Sequence, residues 1–284
     1  MDPFRNTIKH INFRHMAYIE DTYDIKSWRE HEIRFAGQYG KKGEHRGERS
    51  KATPEQIARQ NQKNREKRLT RVLRANFDEG DLFLTIKYKR GTRPGVEQFV
   101  KDFRNFRNRL ARVYRKAGVA MKYVYRMEIG RNGGAHIHLI LNRVDGISLA
   151  DIQDRWEHGR INAQALYKEG GFKALAQYIL KKPEWTEAQQ FSIFLEHGKK
   201  MWAFNTSRNL IRPVPQRKVY RRRTLEKMIR DGIKPKDGYR VIPDSVEYGI
   251  NPFTGTSYLR YTEEALEKGS KGSRQKVPQQ EGVT

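Results

Sequence analysis

The chain has 284 residues, 58 Lys+Arg against 33 Asp+Glu for a formal charge of +25, 36% hydrophobic residues and no cysteine. That hydrophobic share permits a packed core, no run approaches the roughly eighteen apolar residues of a membrane span, and Met1–Asn6 is unlike a signal peptide, so a globular cytoplasmic protein with no membrane partner is expected. The missing cysteines exclude disulfides, thiolate catalysis and zinc fingers, leaving His, Asp and Glu to hold any metal, and the charge points to a polyanion, nucleic acid before acidic membrane.

Residues 1–52 are polar, basic and irregular, with Gly37, Gly40, Gly43 and Gly47 breaking any periodicity, so an arm with little structure of its own, ordering on DNA, is expected. Thr53-Pro54-Glu55-Gln56 then supplies a capping box with proline at the first helical position, opening a helix to about Asn76. Its Arg59, Lys63, Arg65, Lys67, Arg68, Arg71 and Arg74 suit phosphate contact and a solvated surface equally. Asp81–Tyr88 reads as a strand, and Gly91-Thr92-Arg93-Pro94-Gly95 breaks it. Val96, Phe99, Val100, Phe103, Phe106, Leu110 and Val113 follow at three- and four-residue steps, a helix whose apolar stripe packs on a sheet; Lys101, Arg104, Arg107, Arg112 and Arg115 remain for solvent or phosphate.

Two further strands, Lys122–Ile129 and Gly134–Leu141, flank a glycine-rich turn. If the hairpin is symmetric about Asn132, paired positions sum to 264, and Glu128 faces His136. His136 and His138, one residue apart, leave the same face of their strand. Two ring nitrogens and a carboxylate oxygen would bind a divalent ion and leave positions open for substrate. The plainer alternatives are a buried histidine pair hydrogen-bonded to Glu128 without metal, and Glu128 as an ion-pair partner.

Ser148 is an N-cap candidate for a short helix through Trp156, Ile161–Leu166 a further strand, and Phe172–Lys182 a helix stopped by Pro183. That helix places Tyr178 and Lys181 on one face. A tyrosine with a pKa near 10 is a weak nucleophile, so a neighbouring cation that favours phenolate and a metal that polarises the electrophile would make attack on a phosphodiester feasible. Tyr178 packing as core with Leu175 and Ile179, and Lys181 as surface charge replaceable by Lys182, are the plainer readings. Arg208–Arg223 should run over the surface, ahead of a helix over Thr224–Asp231 and strands around Tyr239–Ile242 and Tyr258–Tyr261; the tail from Gly269 has a disordered composition. Lys87, Arg126, Lys182, Arg217, Arg221, Arg222 and Arg223 are candidate DNA contacts. Trp156, Trp185 and Trp202 are assigned to core, and His10, His15, His31, His45, His158 and His197 have no partners at ligand spacing.

Phe83-Leu84-Thr85-Ile86-Lys87-Tyr88, His136-Ile137-His138 and Tyr178-Ile179-Leu180-Lys181, in that order, resemble the three motifs of the single-tyrosine HUH endonucleases, in particular the Rep initiators of rolling-circle replication in bacterial plasmids and phages. The likeness spans about residues 77–212. It implies an α+β fold, a ferredoxin-like, RRM-like antiparallel sheet with helices on one face, carrying basic N- and C-terminal extensions: 1–76 arm and helix, 77–212 endonuclease domain, 213–268 extension, 269–284 tail. It further implies Mg²⁺ or Mn²⁺ on Glu128, His136 and His138, Tyr178 as the nicking nucleophile assisted by Lys181, and a 5′-phosphotyrosine intermediate. The partners implied are single-stranded or hairpin origin DNA and a host polymerase, in a bacterial cell or a phage-infected host. No P-loop sequence is present, so unwinding would fall to a host helicase. One departure is that position 182 is Lys rather than a second tyrosine, so a second subunit of a homodimer or a second turnover must supply any closing cleavage. A relaxase or transposase using related chemistry, and an RRM-like nucleic-acid binder without catalysis, remain alternatives. A non-haem iron oxygenase has no need of the charge, and a nucleotide hydrolase with three alternating histidines fails at Ile140.

Overall fold

A computed structural model describes residues 18–36, 50–130, 134–167, 169–181, 204–220 and 222–266. Outside them lie the four glycines of the arm, Asn132 of the hairpin turn, Lys182, Arg221, Trp185, Trp202, four of the histidines (His10, His15, His45, His197) and the tail from Gly269; of Arg222 and Arg223 only the backbone is described. In chain order the elements are β1 (Tyr18–Ile25), β2 (Trp28–Phe35), α1 (Pro54–Asn76), β3 (Leu82–Tyr88), α2 (Val96–Lys116), β4 (Tyr123–Ile129), β5 (Ala135–Leu141), α3 (Leu149–Gln153), β6 (Gly159–Ala165), α4 (Lys173–Leu180), β7 (Asn205–Thr206), β8 (Gln216–Tyr220), α5 (Arg222–Asp231), β9 (Tyr239–Val241), β10 (Glu247–Asn251) and β11 (Thr256–Ala265). They divide into two compact units, one of residues 58–212 and one formed by the segments on either side. The class is α+β with antiparallel sheets.

In the first unit the strand order is β6-β3-β5-β4-β7, every pair antiparallel. The period of two sends Leu82, Leu84 and Ile86 of β3, Met127 of β4, and Ile137 and Leu139 of β5 to one face, where they bury Phe99, Phe103, Phe106 and Leu110 of α2. Trp156 joins this core, its indole N–H donating to the Lys87 carbonyl at 2.9 Å. The opposite face, represented by Phe83, Val124 and Ile140, packs against Leu69, Leu73 and Phe77 at the end of α1 and Ala176 and Ile179 of α4. Helices therefore cover both faces, where the sequence placed them on one. The reason lies in α1, whose few apolar residues fall four apart in its last turns, so a largely cationic helix still has an apolar stripe at one end. That end also buries Arg71 and Arg74 at 7% exposure, and Arg74 donates to the Gly171 carbonyl, so neither is a surface phosphate contact. The sequence-predicted caps form: Thr53 and Gln56 exchange hydrogen bonds at the start of α1, and Ser148 and Asp151 make a capping box on α3.

Gly159, opposite Tyr88 in the β3–β6 ladder, lies so close to β3 that a Cβ would stand 2.2 Å from the Lys87 carbonyl oxygen and 2.6 Å from the Tyr88 carbonyl carbon. Both are backbone atoms and cannot swing aside. Gly159→Ala is expected to destabilise this unit by about 1–3 kcal/mol, read as a lower urea midpoint with unchanged slope; an unchanged midpoint means that β6 peels back without penalty.

The second unit is a sheet of order β10-β11-β2-β1-β8, with β9 also paired to β11. The expected irregular arm over residues 1–52 is corrected here, because Tyr18–Phe35 forms a regular β1–β2 hairpin within this sheet. Charged residues hide the strand pattern: Glu20, Asp21, Thr22 and His31 are all at or below 5% exposure, among Tyr18, Ile33, Leu259 and Tyr261. They are buried because they are paired. Arg217 forks onto Asp21 at 2.6 and 3.1 Å, which corrects its assignment as a free DNA contact.

His31 lies between Glu20, 2.6 Å from its Nδ1, and Glu263, 3.4 Å from its Nε2, with the Tyr261 ring stacked at 4.3 Å. Burial works against the imidazolium, but the two carboxylates outweigh it and raise the His31 pKa above its ordinary value. A raised folded value stabilises the fold fully below the unfolded pKa of about 6.5 and loses that contribution as pH climbs through the folded value. Thermal melting between pH 5.5 and 8.5 should therefore show a declining midpoint that flattens in His31→Gln; an equal slope in the variant rules His31 out as its origin.

Candidate active site

The β4–β5 register pairs Glu128 with His136 and Arg126 with His138. Alternation sends these four side chains to the α4 face, since the flanking Met127 and Ile137 belong to the α2 core. His136 Nε2 lies 3.7 Å and His138 Nε2 3.6 Å from the same oxygen, Glu128 Oε2. The three donor atoms lie within 4.8 Å of one another, the one such group among the described residues.

These residues fit a divalent ion. Bonds of about 2.1 Å space neighbouring donors roughly 3.0–3.4 Å apart, so a closure of a few tenths of an ångström would complete coordination. The His136 Nδ1 lies 3.2 Å from the Gly134 carbonyl, a contact that selects the tautomer with a free Nε2 lone pair. Protonation also favours it: contact with His138 outweighs burial and, with Arg126, holds Glu128 below the ordinary carboxylate pKa, while burial lowers that of His136.

The α4 helix brings Tyr178 to this group. Ala176 and Ile179 are buried, whereas Tyr178 is 50% exposed, so the ring is not a core residue. Its hydroxyl lies 3.5 Å from His138 Nε2, with the two rings nearly perpendicular at 5.1 Å. Phe83 on β3 lies parallel to His138 at 5.8 Å and edge-on to Tyr178 at 5.9 Å, touching both. Partial burial and then Glu128 raise the Tyr178 pKa; Arg126 and Lys181 pull it down without reversing the sign. The expected lowering by Lys181 is present as one contribution, not as the net result. The helix ends at Leu180, and Lys181 leaves it in an extended conformation.

Lys87 is exposed on the same face, with His136 on one side of it in the ladder and Arg160 of β6 on the other. Arg126 differs from its expected role. It is 3% exposed and its Nη1 donates to the carbonyls of Ile179, at 2.7 Å, and Lys181, so it is not a surface contact to DNA. Sequence reasoning missed Phe83 as a neighbour of both rings, Arg160 as the outer neighbour of Lys87, and Gln62 of α1, which donates to the Leu180 carbonyl at 3.1 Å. The alternation of β3 carried a signal for Phe83, whose period puts it on the histidine side; nothing local announces Gln62.

No helix among the described residues is long and apolar enough to cross a membrane. No curated protein and no solved structure matches the chain. Residues 81–183, the segment from the start of β3 to just past α4 that carries Glu128, His136, His138 and Tyr178, match the family model of the replication-associated protein ORF2. Over that segment the chain is similar to replication-associated proteins, a likeness that supports a replication initiator acting on DNA.

Proposed function

We propose that the chain is a metal-dependent endonuclease that nicks one DNA strand at a specific site and rejoins it through a 5′-phosphotyrosine link, initiating rolling-circle replication. The observation that carries the reading is a half-exposed phenol 3.5 Å from a histidine that shares a carboxylate with a second histidine. A non-catalytic binder has no use for that convergence. When bound by Glu128, His136 and His138, Mg²⁺ or Mn²⁺ supplies positive charge that offsets the charge gathering on the non-bridging oxygens of the scissile phosphate.

Tyr178 Oη attacks phosphorus in line, forming an O–P bond as the P–O3′ bond breaks. The phenolic proton passes to solvent, open to this half-exposed ring, and the departing 3′-oxygen takes up a proton, so the step is neutral in protons. Lys181 lowers the energy of the phenolate, and Phe83 confines the ring. Lys87 and Arg160 extend a cationic row along which the strand's phosphates lie. The freed 3′-hydroxyl primes a host polymerase behind a host helicase. Because the phosphotyrosine link keeps the phosphodiester energy, the reverse attack closes the displaced strand, and with one tyrosine the closing cut falls to a second subunit or a second turnover.

The test is incubation with labelled single-stranded oligonucleotides from both strands of the replicon in Mn²⁺, followed by mass analysis of the protein. A covalent adduct on the peptide containing Tyr178 supports the reading. Strand binding with neither adduct nor cleavage leaves the chain an RRM-like binder and overturns it.

A further inference from the structure

We propose that Arg126 is a positioning residue that locks the last turn of α4, and so holds the Tyr178 hydroxyl against His138; the proposal rests on the nicking reading. The need for a lock follows from the helix itself. α4 has eight residues, far below the length at which a helix is stable alone, and its N-terminus follows Phe172 in the left-handed region at φ 61° with no side-chain cap. Tyr178 lies three residues from the C-terminal end, where helices fray.

Three tertiary hydrogen bonds stop the fraying. Arg126 Nη1 bridges the Ile179 and Lys181 carbonyls and Gln62 Nε2 donates to Leu180, which satisfies consecutive carbonyls that the helix leaves without partners. The bridge starts from β4, two residues before Glu128 and directly opposite His138 in the ladder. One side chain thus joins the strands carrying the proposed metal ligands to the turn carrying the nucleophile. Ångström-scale drift of a reacting atom lowers a rate on the order of 100-fold, so such a join acts on chemistry.

Stability alone does not account for the arginine. Its guanidinium is buried, its Nε has no hydrogen-bond partner, and desolvation lowers its pKa with only partial compensation from Glu128. A buried charge satisfied this incompletely is commonly less stabilising than an apolar side chain of similar volume.

The test pairs hydrogen exchange on the full chain, without DNA, with single-turnover adduct formation on the oligonucleotide identified above. In Arg126→Met the amides at the C-terminal end of α4 should lose protection, and adduct formation should slow by about 10- to 100-fold with oligonucleotide affinity within about twofold; Arg126→Lys, which keeps one donor, should recover part of the rate. Gln62→Ala, at a less buried position, should give the same pattern more weakly, and it remains informative if Arg126→Met fails to fold. Unchanged exchange in both variants overturns the lock, as does lost protection with an unchanged adduct rate. Absence of any adduct from the unaltered protein refutes the nicking reading instead, and exchange alone then decides whether Arg126 holds the helix.

Discussion

Tyr178→Phe is expected to give no covalent adduct with single-stranded DNA, a loss on the order of 10³-fold or more in rate, as for removal of a nucleophile that acts with its partners as a unit. The substitution removes one oxygen and keeps the ring, so the edge contacts to His138 and Phe83 survive. The hydroxyl gives up a 3.5 Å contact to His138 at the limit of hydrogen bonding, on a half-exposed residue, so stability should change by no more than about 0.5 kcal/mol. Oligonucleotide affinity should also hold, because phosphate contacts from cations such as Lys87 and Arg160 are untouched. A denaturing gel of labelled DNA reads the adduct, and fluorescence anisotropy reads binding. An adduct that persists in the variant would identify another nucleophile, and the α4 geometry would lose its catalytic meaning.

The candidate site was legible in sequence because a strand's period is two and a hairpin's register follows from its turn. Those two constraints place Glu128 against His136 and both histidines on one face before any coordinates exist, and the ladder has that pairing. Helical spacing likewise gave α2 its core stripe and placed Tyr178 apart from Ile179. What was illegible depends on distant partners. Asp21 reads as a solvated residue until Arg217, 196 positions away, is brought onto it, so the β1–β2 hairpin looked like an irregular arm. Arg126 failed for the same reason: a cation two residues from a metal-ligand candidate resembles a phosphate contact, and only the position of the α4 carbonyls shows where its donors go.

His138→Ala is expected to weaken Mn²⁺ binding by roughly 100-fold or more and to stop adduct formation with it, because two donors rarely retain an ion that needs three. Of the triad His138 is the most enclosed, with its side chain 6% exposed against 21% for His136 and 23% for Glu128, and it is the member that also touches Tyr178. Its loss therefore removes a ligand and the neighbour of the nucleophile together, whereas His136→Ala and Glu128→Gln should spare the Tyr178 contact and act through the ion alone. Electron paramagnetic resonance of Mn²⁺, or calorimetric titration, measures this without any DNA, so the result stands whether or not the substrate is in hand. Imidazole donors favour Mn²⁺ over Mg²⁺, which prefers oxygen, so Mn²⁺ should bind the unaltered protein at least as tightly. If the two histidines were only a buried pair bonded to Glu128, the unaltered protein would take up no Mn²⁺ at this position and chelation would leave its chemistry unchanged. Equal Mn²⁺ affinity in His138→Ala and the unaltered protein would move the ion elsewhere and leave Tyr178 without the positive charge that its attack requires.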